Sequence, residues 1–185
     1  MNITGVVLIA VIAFLLGAAA IYFLLNERSR RLRERFGPEY SRTLEETGDR
    51  WKAESTLTRR AKRVEKLHIR QLALPERTRF ANSWRDVQSR FVDDPQGTLA
   101  EADRLIASLM TAEGYPMSDF EQRVADISVD HPEVVENYRG GHRIALRHAQ
   151  GDATTEDLRQ AMVHFRTLFE DLLGRPEYSQ TGRTV

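Results

Sequence analysis

The best candidate for binding a metal or moving a proton is the stretch from Asp126 to His148, which holds Asp126, Asp130, His131, Glu133, Glu136, His142 and His148. Carboxylates and imidazoles in proximity are the donor set of zinc and di-iron sites. A helical site of that kind takes its ligands at i, i+3 or i, i+4 on one face, as in Glu-x-x-His. His142 and His148 are six residues apart, about 600° of helical rotation, so they project from different sides. No histidine in this stretch has a carboxylate three residues before it or another histidine four residues after it. Asp130, His131, His142 and His148 are the residues a metal would have to use. The expectation is that none binds and that Asp130 caps a helix. Nucleophilic chemistry has less support still. The chain has no cysteine, no Gly-x-Ser-x-Gly elbow and no phosphate-cradling glycine loop. No catalytic residue and no cofactor is expected. Gly140-Gly141 falls inside a helical pattern, where each glycine costs about 1 kcal/mol relative to alanine. The pair reads as close helix packing or a kink beside Trp84 or Tyr138, with a ligand pocket as the sharper alternative.

The elements that would carry these residues are all helical. Pro75-Glu76 opens a helix bearing Phe80, Trp84, Val87 and Phe91. Asp94 followed by Pro95 marks an N-cap and first helical position for Leu99 to Met110, and Gly114 ends that helix. Ser118 to Glu121 reads as a capping box ahead of Phe120, Val124 and Ile127. Asp130 with Pro132 starts a further helix through Val134, Val135 and Tyr138 to Gly151. Thr154 to Asp157 caps the last, whose Leu158, Ala161, Met162, Phe165, Leu168, Phe169 and Leu172 keep helical spacing until Gly174 and Pro176. The aromatic residues at this spacing are expected to be core. No segment alternates with period two, so no strand is expected.

Ahead of the helices lies an unbroken apolar run, Ile3 to Leu25, long enough to cross a hydrocarbon core of roughly 30 Å. A secretory signal would need a basic start and a shorter apolar core. The small residues Ala18-Ala19-Ala20 could be cleaved, but no Lys or Arg precedes them and apolar sequence continues beyond. A buried core helix would rarely be apolar around its whole circumference for this length. An uncleaved anchor is therefore expected. Arg28, Arg30, Arg31, Arg33 and Arg35 follow it, set to meet the membrane surface, and by the positive-inside rule they place the C-terminal part in the cytoplasm. Ala10, Ala13, Gly17 and Ala20 share one face of the span and could let a second membrane helix approach.

A formal net charge of zero conceals an asymmetry. Residues 26–74 carry 14 basic and 8 acidic side chains, whereas residues 75–185 carry 13 basic and 19 acidic. The first segment suits anionic headgroups, and the second argues against nucleic acid as a ligand. Arg59-Arg60-Ala61-Lys62-Arg63 reads either as a solvated face or as a dock for a membrane or an acidic partner, including the distal part of this chain.

Several strings extend the reading: Arg35-Phe36-Gly37-Pro38-Glu39-Tyr40, Arg90-Phe91-Val92-Asp93-Asp94-Pro95, Asp119-Phe120-Glu121-Gln122-Arg123, Ser128-Val129-Asp130-His131-Pro132, and Glu156 to His164. In these the chain resembles an uncharacterised family of bacterial single-pass proteins, also labelled secreted or hypothetical. The resemblance spans nearly everything after residue 30. It implies a bacterial source and an anchor-plus-helical layout, and it carries no activity, ligand or catalytic residue.

The expected architecture is all-α: a transmembrane anchor over 1–25, one long charged connector helix within 26–74, a bundle of about five short helices over 75–173, and a flexible tail over 174–185. The connector helix is expected from Glu39 to about Lys66, with Gly48 its weak point. The expected function is a membrane-tethered cytoplasmic interaction or scaffold module without catalysis, with the bilayer and a protein partner or second copy as its contacts. The alternatives are a ligand- or metal-sensing or enzymatic helical domain, and a secreted helical protein with its signal removed.

Overall fold

The computed structural model describes residues 3–174, with the side chains of residues 12–20 and 22–174. Over these residues the chain is helical, without a strand: α1 (Ile3–Phe36), α2 (Pro38–Thr47), α3 (Arg50–Val64), α4 (Leu74–Ser89), α5 (Pro95–Glu113), α6 (Phe120–Asp130), α7 (Val135–Ala149) and α8 (Thr155–Leu172). Two compact units divide within α3, one ending at Thr58 and the other beginning at Arg59. The expected tail beyond Gly174 lies outside the described residues.

In the first unit, α1 runs without interruption from the apolar segment into the arginine-rich one and stops at Phe36. Gly37 follows in a positive-φ conformation (44°), and Pro38 occupies the first turn of α2. Helix α1 is long and apolar enough to cross a membrane on length and composition. Past Asn26 it becomes two-faced, burying Ser29, Leu32 and Phe36 at helical spacing while its arginines stay exposed.

The single connector helix expected from Glu39 onward is instead two. Gly48 adopts a left-handed conformation (φ 62°), its N–H bonding to the Leu44 carbonyl at 2.9 Å, and so ends α2. Asp49 then accepts from the Lys52 N–H at 2.8 Å and starts α3. A glycine followed by a capping aspartate turns the chain where charged periodicity alone would have carried it on.

In the second unit, α8 packs against both α7 and α5, α4 lies on α5, and α6 lies on α7. Helix α8 buries the seven residues its sequence pattern picked out, and each large apolar side chain among them contributes about 1.5–3 kcal/mol. Trp84 stacks on Phe169 with ring centroids 4.5 Å apart. The Gly140-Gly141 pair serves this packing: a Cβ at Gly141 would overlap the buried Phe165 ring, and one at Gly140 would sit 3.1 Å from the His164 ring. The space considered for a ligand is thus occupied by Phe165.

Caps fix most of the remaining boundaries. Asp94 accepts from the Gly97 N–H at 2.9 Å, Gly114 closes α5 at φ 104°, and Thr154 and Asp157 satisfy each other's N–H groups at the start of α8. Two expectations are corrected. Asp119, not Ser118, caps α6, accepting from the Gln122 N–H at 2.8 Å. Asp130 caps nothing, because it is the last residue of α6 and α7 begins only at Val135. The proline at 132 disfavours helical backbone at His131, which sits at φ −128°, ψ 50° and ends α6 there. The basic end of α3 is not a free surface. Arg63 bonds Asp126 of α6 at 2.9 Å, and Arg60 reaches Ser128 at 3.4 Å.

Candidate functional site

Three helices of the second unit end around one cleft. Glu113 is the last residue of α5, His131 is the C-terminal cap of α6, and Asp171 lies in the last turn of α8. The segment after α3 crosses the same place, where the Arg70 N–H bonds the Glu113 carbonyl at 2.8 Å. Gly114 is required for this crossing, since its φ is 104° and any Cβ there would strike the His68 carbonyl. The cleft holds about 410 Å³ and is lined by Arg70, Arg77, Glu113, His131 and Asp171 above an apolar floor including Leu72 and Leu172.

Helix C-termini carry partial negative charge from their unsatisfied carbonyls. Two of the three terminal side chains here are carboxylates, the sign that such a position disfavours. His131 partly compensates, its Nδ1 lying 2.6 Å from Asp171 Oδ2. Burial alone would lower the His131 pKa. The bond to Asp171 and the charges of Asp171, Glu113 and Asp130 outweigh it and hold the imidazole above its ordinary value. Glu113 is 7% exposed, and its Oε2 accepts no hydrogen bond among the described residues. Burial pushes its pKa up to about 7, against the opposing charges of His131 and Arg70. Arg70 is held in a two-pronged bond to Glu76 at 2.7 and 2.8 Å, and Arg77 donates to the Gly174 carbonyl at 2.7 Å. Beside the cleft the Tyr115 hydroxyl donates to Asp130 Oδ2 at 3.3 Å, and burial raises its pKa.

Chemically, this cleft offers a buried acceptor with an open valence, and with it an imidazole held above its ordinary pKa. Glu113 can take up or release a proton near neutrality and can accept a hydrogen bond from a bound donor.

The four metal candidates are dispersed. His131 lines the cleft, and Asp130 is exposed and bonded to Tyr115. His142 stacks on Phe120 with centroids 3.6 Å apart, its pKa lowered by burial. His148 is half-buried near the end of α7. Of the other acidic residues in that stretch, Asp126 is buried and bonded to Arg63 and Gln122, while Glu133 and Glu136 are exposed. Sequence reasoning missed Glu113, Asp171, Arg70 and Arg77. One signal was present: an acidic residue at the last position before a helix-ending glycine, Glu113-Gly114, opposes the helix dipole and calls for an explanation.

On α1, the five arginines named for the membrane surface are exposed, and several also hold partners. Arg28 donates to Thr58 at 3.2 Å, Arg30 and Arg31 each reach Glu27 at 3.1 Å, and Arg33 lies over the Tyr40 ring. Ala13, Gly17 and Ala20 are exposed, and a Cβ on Gly17 would meet nothing within 4 Å. The side chain of Ala10 lies outside the described residues.

Comparison with protein-family models, with curated proteins and with solved structures finds no match.

Proposed function

We propose that the protein is a single-pass membrane-anchored helical module. In this reading residues 1–25 lie in the bilayer, the rest faces the cytoplasm, and the bundle acts without catalysis as an interaction or scaffold domain for a protein partner or a second copy. The observation that carries the reading is the continuity of α1. Its charge-free apolar segment passes without a break into an exposed arginine face, and the same helix is held at Ser29 by Glu54 and Arg50 of α3. An anchor of this kind transmits the position of the bilayer directly to the chain that follows. Protease added to intact cells should leave residues 26–174 uncut, while protease added to inverted vesicles should remove them. Digestion from outside the cell would overturn the orientation. An intact mass that starts beyond Ala20 in membrane-free fractions would favour the secreted alternative.

Glu113 favours a second reading, in which the bundle cleft takes a small ligand bearing a protonated amine. The negative ends of three helices and an unpaired buried carboxylate suit such a group. A thermal-shift screen of primary amines tests it. Stabilisation that disappears in Glu113→Gln is the expected result, and equal stabilisation in both proteins would refute it.

A further inference from the structure

We infer that the α2–α3 turn returns to the bilayer surface and forms, with α1, a groove that binds one membrane phospholipid. This rests on the membrane reading of α1.

The geometry starts from helix lengths. Helix α2 has ten residues, about 15 Å of rise, and leaves the end of α1 through the tight Gly37-Pro38 turn. The same rise corresponds to about ten residues of α1, so α2 returns the chain from Phe36 to about the height of Asn26. Side-chain contacts agree with that path. Tyr40 lies under Arg33, and further on Arg50 and Glu54 both bond Ser29, at 2.6 Å each. The left-handed Gly48 then turns α3 away, leaving its first residues beside the end of the apolar run.

What stands there is a groove of about 480 Å³ with an apolar wall of Tyr22, Leu25 and Trp51 and two cations, Arg28 and Arg50. Trp51 is 70% exposed and Tyr22 69%, whereas the other tryptophan, Trp84, is 4% exposed. A tryptophan left in water forfeits most of what its ring area could contribute, but at a membrane interface an amphipathic ring is at its preferred depth. Arg50 is already oriented by Glu54 (2.9 Å) and Ser29 and remains half open to solvent, so presenting it to a phosphate costs little further order. The acids of the groove are partly committed. Glu54 accepts from Ser29, Tyr40 and Arg50, and Asp49 caps α3. Cations at headgroup height and rings at the upper acyl height match one glycerophospholipid, its phosphate toward Arg28 and Arg50 and its chain along Tyr22, Leu25 and Trp51.

The test uses the full-length chain carrying Trp84→Phe, reconstituted in phosphatidylcholine–phosphatidylglycerol vesicles with acyl chains brominated at graded depths. Flotation with the vesicles reports on the membrane reading separately, and a chain that fails to float ends both. In floating samples Trp51 should emit at shorter wavelength than free tryptophan and be quenched most by the shallowest bromines. Water-like, unquenched emission from a floating chain overturns the groove and leaves the anchor standing. Native mass spectra of the detergent-solubilised wild-type chain, with Trp84 in place, should retain one phospholipid. Retention should fall several-fold in Trp51→Ser and in Arg28→Gln, and equal retention in all three proteins would refute the inference.

Discussion

Replacing Glu113 with glutamine should make the bundle more stable at alkaline pH, although it removes a charge from a polar cleft. The carboxyl is buried, and its folded-state pKa is about 7 against an ordinary 4.5. A raised carboxyl pKa means the native state binds the proton more tightly than the unfolded chain does. Stability from this group is therefore intact below about pH 4.5 and lost progressively as pH rises through 7. At 1.36 kcal/mol per pKa unit, the shift corresponds to about 3 kcal/mol between those limits. Glutamine keeps the shape and abolishes the titration. The two proteins should unfold together near pH 4.5 and diverge above pH 7, the variant being more stable by about 3 kcal/mol, or roughly 6–12 °C in Tm.

His131 is also held above its ordinary value, so its contribution is present below pH 6.5 and lost as pH rises through its folded value. Both proteins contain it, so the part set by Asp171 and Asp130 cancels in the difference, whereas the part due to the Glu113 charge is lost in the variant. Trp84, stacked on Phe169 inside the bundle, reports this transition by fluorescence once Trp51 is replaced by phenylalanine. The measurement is the pH dependence of the difference in Tm between 4.5 and 9. Parallel curves would refute the buried-carboxyl argument, and a variant that loses stability above pH 7 would reverse it.

Helix propensity alone says that alanine at either glycine of the 140–141 pair stabilises α7 by about 1 kcal/mol. The Phe165 ring behind Gly141 predicts instead that Gly141→Ala loses about 1–2 kcal/mol net, because overpacking a filled core costs typically 1–3 kcal/mol. Gly140→Ala, which meets only the edge of His164, should stay within 1 kcal/mol of the parent, and urea midpoints of the two variants distinguish the cases. At the start of α6, Asp119→Ala should cost about 1 kcal/mol by the same measure. Ser118→Ala should cost nothing, since its hydroxyl makes no bond among the described residues.

Where local chemistry terminates a helix, the boundary was legible. Asp94-Pro95, Gly114 and Thr154 with Asp157 each solve the orphan N–H or carbonyl problem within a few residues, so α5 and α8 were expected within a residue or two of where they lie. The all-helical class was legible for the same reason, period and caps agreeing along the chain. Gly48 was seen as a weak point without being read as a turn, because a lone glycine in a charged helical pattern costs only about 1 kcal/mol if the helix continues. Asp49 and the packing of Ser29, Tyr40 and Glu54 decide the matter, and those contacts are distant in sequence. The cleft was illegible in the same sense. Glu113, His131 and Asp171 belong to three helices, and only the docking of α5, α6 and α8 ends brings them to one place. Of the stretch singled out for chemistry, His131 alone reaches it.

Among the buried glutamates, Glu54 and Glu113 show why Glu113, and not the more heavily bonded Glu54 of α3, is the residue to test for a ligand. Burial pulls the Glu54 pKa up, but bonds from Ser29, Arg50 and Tyr40 outweigh it and hold the carboxyl below its ordinary value. That carboxylate is charged and satisfied, and removing a partner would leave an uncompensated buried charge, which is the property of a structural clamp. Glu113 has comparable burial and the opposite bookkeeping. His131 and Arg70 favour its charge only through space, Asp171 opposes it, and one oxygen has no donor. A fold that could satisfy Glu54 three times over leaves Glu113 open at the convergence of three helix ends. An open acceptor in a cleft of some 410 Å³ is stabilised by whatever brings a donor to it, a proton at low pH or a protonated amine at neutral pH. The two compete for one oxygen, so an amine that binds there must bind more weakly as pH falls below 7.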